Sequence, residues 1–354
     1  MLGVNRVKRF LNIKDIIPGM IAAEDIKSNN ILLVAEGKEI KAETISTLME
    51  KYAETILAVY LEEEGISETS QSKTMAQVDE IFQEYSYEMK DMFNEIGYTG
   101  KANIDDVRNF VKKIQKHLDS PSIIIKNIVL YGSGNDRIYR HSVNVAALST
   151  LLGKWIGLDD NQINLINYSS ILHDYGKTKI DKGVLNKSGK LTESEWKTIK
   201  SHPIIGYEIV KQIQFLDSSV SYGVLMHHER CDGSGYPLGI SGEKIHAFGK
   251  IIAIADTFEA ISSNKNHKAN SDPFSALEEI KKESLLKLDY EYTKIFVEHI
   301  VNYYMGENAR MNDGRVCKII QVDPNDILRP LVLDGSTFID LKKEKNLRVE
   351  SLVF

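Results

Sequence analysis

The chain has 354 residues, of which 42% are hydrophobic and 27% charged, and its formal net charge is −6. This is ordinary globular composition, with length for two or three domains. The negative balance excludes a protein that binds nucleic acid over its whole surface, so an anionic substrate would need a local positive site such as a metal cluster.

The two cysteines, Cys231 and Cys317, fit a reduced compartment and no disulfide. No apolar run reaches the roughly 18 residues of a transmembrane helix. Residues 1–15 lack the long apolar core of a signal peptide. The expectation is a soluble, cytoplasmic protein without a membrane span.

Residues 13–62 read as a small unit. Residues 31–34 (Ile-Leu-Leu-Val) and 56–61 are strand-like, residues 42–52 have a helical pattern, and Glu36-Gly37 marks a turn. The unit carries no evident catalytic constellation and is expected to serve packing or oligomerisation, with ligand sensing as the alternative. Residues 63–74 are polar and linker-like. Val78, Phe82, Tyr85, Met89 and Phe93 then recur at spacings of three and four, which predicts one helical stripe over 75–96, broken by Gly97 and Gly100. Helices follow at 105–118 and from Pro121 to residue 130.

The first segment with chemistry is 137–157. His141, Val145, Leu148 and Leu152 share one face, which turns His141 inward. A lone buried histidine is most often a satisfied core residue. In the next helix, 161–174, Ile163, Ile166, Ser170 and His173 share a face and Asp174 follows. A buried carboxylate protonates or finds a cation, and a metal supplies one. Gly176 ends this helix and Lys177 follows. Thr192 to Glu195 forms a capping box for a short helix. His202-Pro203 then predicts a helix start with His202 at the N-cap.

The stretch His227-His228-Glu229-Arg230-Cys231-Asp232-Gly233-Ser234-Gly235-Tyr236-Pro237 joins two imidazoles to a tight glycine-rich loop. Neutral imidazole is the commonest ligand for borderline transition metals. Ile252, Ala253, Asp256 and Ala260 share a face of a helix over 247–263, placing Asp256 inward. Helices at 272–286 and 290–304 follow, and then β-like runs at 315–321, 330–333 and 337–341. His141, His173, His202, His227, His228, Asp174 and Asp256 are more side chains than one ion needs. Without cysteine they suit iron, manganese, nickel or zinc. A two-metal site about 3.5–4 Å across, bridged by one carboxylate, is the natural expectation.

His-Asp-x-Gly-Lys at 173–177, His202-Pro203 and the string from His227 to Pro237 together resemble the HD-GYP branch of the HD phosphohydrolases. The resemblance spans residues 123–304. It implies an all-α helical bundle at 123–306, preceded by a small α+β domain at 1–65 and a helical linker at 66–122, and followed by a small β appendage at 307–354: a mainly α chain. It implies hydrolysis of cyclic di-GMP to linear pGpG by a hydroxide activated by two divalent ions, iron or manganese. By similarity, His141, His173, Asp174 and Asp256 hold one ion and Asp174, His202, His227 and His228 the other, with Asp174 as the bridge. Lys177 stabilises phosphate charge, and Gly235, Tyr236 and Pro237 shape the loop over the site or form a contact surface. Diguanylate cyclases and a second copy of the chain are candidate partners, and nucleic acid is not expected as one.

Three departures from the family pattern matter. Arg137 stands where members with a third metal carry glutamate, which implies two ions and pGpG as the main product. Asn264-Lys265-Asn266-His267-Lys268 replaces the usual Asp-Arg-Pro-Tyr-Arg. Lys265 and Lys268 keep charge for substrate contact but lose the bidentate guanidinium fork. Tyr175 fills a slot that is usually aliphatic. His117, His246, His267 and His299 are expected to be bystanders. Two other readings stay open: a catalytically weak module that binds cyclic dinucleotides for signalling, and a phosphohydrolase for another nucleotide.

Overall fold

The computed structural model describes residues 6–13, 16–23, 25–28, 31–51, 56–62, 75–99, 103–116, 121–133, 138–214, 216–263 and 273–353. The chain divides into two compact units, Met1–Lys73 and Thr74–Phe354.

The first unit contains β1 (Arg6–Asn12), β2 (Ile21–Ala22), β3 (Ile26–Ser28), β4 (Ile31–Val34), α1 (Ala42–Lys51) and β5 (Ile56–Glu62). β5 lies between β1 and β2 in an antiparallel sheet, and β3 pairs with β4. Its own small core includes Ile13, Ala22, Ile40, Leu48 and Val59. The polar run 63–74 lies outside the described residues.

The second unit is mostly helical. It runs through α2 (Met75–Thr99), α3 (Ile104–Lys116), α4 (Pro121–Tyr131), α5 (Tyr139–Trp155), α6 (Asp160–Leu172), α7 (Lys182–Leu185), α8 (Glu193–Ile199), α9 (His202–Val210), α10 (Ser218–Met226), α11 (Ala247–Ser263), α12 (Pro273–Glu283) and α13 (Tyr290–Asn302). β6 (Asn308–Met311), β7 (Val316–Asp323), β8 (Asp326–Asp334), β9 (Thr337–Asp340) and β10 (Val349–Val353) close it as an antiparallel sheet in the order β10-β6-β7-β8-β9. The small C-terminal sheet is therefore present, with two strands, β6 and β10, beyond those read from the sequence.

One hydrophobic core joins these elements. The α2 stripe (Val78, Phe82, Tyr85, Met89, Phe93) is buried in it, as are Ala309, Cys317, Ile319 and Val332 of the sheet. α2 continues through Gly97. An interior glycine costs a helix roughly 1 kcal/mol, and burial of the adjacent Ile96 offsets it.

α5 is the axis of the unit. Every residue from Arg140 to Gly153 is buried, and α2, α4, α6, α11 and α13 all pack on it. A helix enclosed on every side has no polar face to give to solvent, so its buried polar groups must find partners inside the protein.

Local signals fix the helix ends around the site. The Thr192 hydroxyl accepts the Glu195 N–H and the Glu195 carboxylate accepts the Thr192 N–H, the capping box expected from the sequence. Asp159 and Gln162 form a second one at α6. The N-cap of α9 is Ser201, not His202; His202 is the first helical residue and Pro203 the second. The His202 ring is therefore free to face inward.

Candidate metal centre

Three of the histidines come from helix ends. His173 caps the C-terminus of α6 and His227 that of α10. His202 follows α8 closely. Helix C-termini leave carbonyl oxygens without intrahelical partners, and here the imidazoles take them. His173 Nδ1 lies 2.6 Å from Ser170 O, His202 Nδ1 2.8 Å from Ile199 O, and His227 Nδ1 2.7 Å from Val224 O. In each case the acceptor is three residues earlier. Only an N–H can face a carbonyl, so Nδ1 donates in all three and each Nε2 keeps a lone pair.

Those lone pairs converge. Two groups of donor atoms form, each with its members within 4.8 Å of one another: Asp174, His202, His227 and His228 in one, His141, His173 and Asp256 in the other. The Asp174 carboxylate lies between them. Its Oδ1 is 3.3 Å from His202 Nε2 and 3.9 Å from His227 Nε2, and its Oδ2 is 3.6 Å from both His141 Nε2 and His173 Nε2. Asp256 Oδ1 is 3.1 Å from His141 Nε2, and its Oδ2 is 3.9 Å from His228 Nδ1.

The donor set fits cations. His173 Nε2 and Asp174 Oδ1 are fully buried and have no hydrogen-bond partner. His202 Nε2 and His227 Nε2 face each other at 3.3 Å although each carries a lone pair, which is repulsive unless a positive charge sits near both. Burial keeps His173, His227 and His228 below the ordinary imidazole pKa, so they are neutral and ready to ligate. Burial opposes ionisation of Asp174, but the Lys177 ammonium beside it, 2.7 Å away, outweighs this and holds the carboxyl well below the usual range. Asp256 is held down in the same way, against burial, by the hydrogen bond and charge of His141, 3.1 Å away.

His141 differs from the other imidazoles. Burial disfavours its charge, yet Glu259 and Asp256 raise its pKa to about 10. Its Nδ1 lies 2.6 Å from Glu259 Oε2.

Lys177 Nζ is 2.7 Å from Asp174 Oδ2, so Asp174 draws the lysine to the centre. The intervening turn depends on Gly176. A Cβ there would lie 2.0 Å from His202 O and 2.9 Å from Gly206 N, so only glycine lets the turn meet α9 this closely.

The loop after His228 is pinned from beneath. Buried Glu229 accepts the N–H groups of Leu238, at 2.6 Å, and Ile240, at 3.1 Å. A Cβ on Gly235 would sit 2.4 Å from Arg230 N. The Tyr236 ring stacks on His228 with centroids 4.7 Å apart, and Lys200 Nζ lies 5.3 Å from the Tyr236 ring centroid. Tyr236 and Pro237 are joined by a cis peptide bond. The motif loop thus lies against a member of the donor set.

Tyr175 is buried with its ring edge-on to Phe93, centroids 5.0 Å apart. His246 accepts the Phe248 N–H, and His299 stacks on Trp155. Arg137, His117, Lys265, His267 and Lys268 lie outside the described residues. The sequence reading missed Glu259 and Glu229. The signal for Glu259 was its place one turn after Asp256 on the same helix; that for Glu229 was a carboxylate directly after two histidines.

The fold and this geometry define a histidine–aspartate centre able to hold metal ions. Residues 127–292 match the family model described as HD domain. That match covers just under half of the chain, and the motifs within it resemble those of the HD-GYP branch. The chain is 29% identical over 208 residues to a cyclic di-GMP phosphodiesterase of Pseudomonas aeruginosa, covering 58% of this chain and 50% of that protein. It is 34% identical over 192 residues to a cyclic di-GMP phosphodiesterase of Thermotoga maritima, covering 50% of each. It is 33% identical over 167 residues to a 3'3'-cGAMP-specific phosphodiesterase of Vibrio cholerae, covering 47% of this chain and 38% of that protein. The chain thus spans half or less of the length of these relatives. An HDG"Y"P protein from Bdellovibrio bacteriovorus shares the fold, with a TM-score of 0.53 at 15% identity over 83% of this chain and 100% of that one. No described helix is long and apolar enough to cross a membrane.

Proposed function

We propose that this chain is a metal-dependent phosphodiesterase that hydrolyses cyclic di-GMP to linear pGpG. The observation that carries the reading is Asp174, whose two oxygens face two separate groups of histidine and carboxylate donors. On this reading His141, His173, Asp174 and Asp256 hold one divalent ion and Asp174, His202, His227 and His228 the other; the donor types suit iron, manganese, nickel or zinc, and the resemblance to the HD-GYP branch favours iron or manganese. Bound ions would supply Lewis acidity and a lowered pKa for water. Lys177, at 2.7 Å from Asp174, adds a positive charge for the phosphate oxygens. Lys265 and Lys268 are proposed as further substrate contacts, and Gly235, Tyr236 and Pro237 as the loop that covers the centre.

We further propose that the HD-GYP domain spans 123–306, between a small α+β domain at 1–65 with a helical linker at 66–122 and a β appendage at 307–354. Diguanylate cyclases and a second copy of the chain are the protein partners we would test first.

A second reading, hydrolysis of a mixed cyclic dinucleotide, is favoured by the similarity to a relative named as 3'3'-cGAMP-specific and by the replaced basic motif at 264–268. One experiment separates the two. Anaerobically purified chain loaded with Fe(II) or Mn(II) is given cyclic di-GMP and 3'3'-cGAMP in competition, and products are followed by chromatography. Metal-dependent pGpG formation that Asp174→Ala abolishes supports the first reading. Exclusive cleavage of the mixed dinucleotide moves the assignment to the second. Both substrates left intact by protein holding two ions per chain would refute hydrolysis.

A further inference from the structure

We propose that Glu259 is a positioning residue that orients His141, and that it strengthens ion binding by the His141, His173 and Asp256 group while leaving the other group unaffected. The inference rests on the reading of these side chains as metal ligands.

The argument starts from how each imidazole is held. His173, His202 and His227 each donate to a carbonyl three residues earlier. His141 cannot do so. The corresponding carbonyl, that of Ile138, already accepts from the Ser142 N–H and the Ser142 hydroxyl. His141 takes its acceptor instead from another helix, 118 residues away in sequence: Glu259 Oε2 at 2.6 Å. An ionised carboxylate behind an imidazole fixes the ring's tautomer and makes its outer nitrogen a stronger donor to a metal. A backbone carbonyl does the first without adding a full charge.

Glu259 is itself held so that it cannot turn away. It is 1% exposed. Its Oε1 accepts from Asn144 Nδ2 at 3.0 Å and from the Ser263 hydroxyl at 2.6 Å. The Asn144 amide is oriented in turn by Arg140 Nε, which donates to Asn144 Oδ1 at 3.3 Å. Ser263 Oγ accepts the Ser133 N–H at 3.0 Å, which directs its own hydrogen to Glu259. Arg140 is anchored by Asp79 and Asn127, each at 2.8 Å. Arg140 and Asn144 of α5 thus converge on one carboxylate whose outward contact is His141. No comparable carboxylate stands behind His173, His202 or His227 among the described residues, so the effect falls on one ion.

The test uses the full chain and Glu259→Gln, which keeps the volume and removes the charge. Mn(II) uptake is measured by competition with a metal indicator, and the two-ion state by the exchange-coupled electron paramagnetic resonance signal. Wild type should take two ions. E259Q should lose 10–100-fold in affinity for one, by the usual effect of removing such a partner, with the other unchanged and a mononuclear signal at limiting metal. Two wild-type affinities in E259Q, or equal weakening of both, would overturn the inference and leave Glu259 a structural partner only. If E259Q does not fold, Ser263→Ala removes one of the two groups that hold Oε1. A loss confined to one ion then supports the proposal, and unchanged binding of both overturns it. Failure of wild type to take a second ion would overturn the two-metal reading beneath it.

Discussion

At the residue scale, the centre is held by contacts that tolerate no added atom. The Cβ of Gly176→Ala would meet backbone atoms of His202 and Gly206, at 2.0 and 2.9 Å, and backbone cannot swing aside as a side chain can. The expected cost is at least about 1–3 kcal/mol, the usual range for overpacking, together with a loss of bound metal. Urea unfolding and metal analysis of the purified variant check this. A wild-type midpoint with wild-type metal content would show that α9 moves freely away from the turn.

At the element scale, α5 and α8 give contrasting expectations. Leu148 is fully buried on a helix enclosed from every direction. Leu148→Ala is expected to cost about 2–5 kcal/mol, because a site with no mobile side cannot collapse onto the cavity. Thr192 caps α8 on the surface, and Thr192→Ala is expected to cost about 1 kcal/mol, with metal uptake unchanged. Denaturant titration of the two variants side by side measures both. The same two helices show what the sequence displays and what it hides. The α8 capping box is a local pattern of four residues, so it was visible directly. The α5 periodicity exposed one apolar face, His141 to Leu152, but not that Asn144, Ser149 and Thr150 are buried as well; polar residues betray burial only through their partners. Asn144 meets Glu259 across 115 positions, and no window of sequence contains both. β6 and β10 escaped for a related reason. They pair with each other antiparallel, and the first, although Asn308 and Arg310 alternate with the buried Ala309 and Met311, is only four residues long and too short for its alternation to stand out. The motif residues were legible because their spacing is local; the groups that orient them were not, because they arrive from other helices.

At the scale of the whole molecule, titration follows from the buried imidazoles. Burial lowers the pKa values of His173, His227, His228, His246 and His299 in the folded state. An unfolded histidine titrates near 6.5, so below about that pH the unfolded chain binds more protons and stability falls. His141 acts in the opposite sense: its contribution is complete below about 6.5 and is lost as pH rises through about 10. Five groups outweigh one on the acid side. The urea midpoint of metal-free protein is therefore expected to fall between pH 7 and pH 5.5, and a flat profile would count against neutral imidazoles in the interior.

The placement of three rings on three helix ends has a mechanical meaning. None of these imidazoles can rotate without releasing its own carbonyl, and the donors span residues 141 to 256. An ion held there would act as a removable cross-link between segments far apart along the chain. Its removal costs more than one bond: at a free metal concentration 100 times the dissociation constant, the linkage is worth about 2.7 kcal/mol. A chelator should therefore speed trypsin cutting throughout the helical unit, at lysines remote from the centre as well as near it. Restored metal should slow it again. A metal held at this centre would thus also be a clasp, and its occupancy would set how long the helical unit survives among proteases.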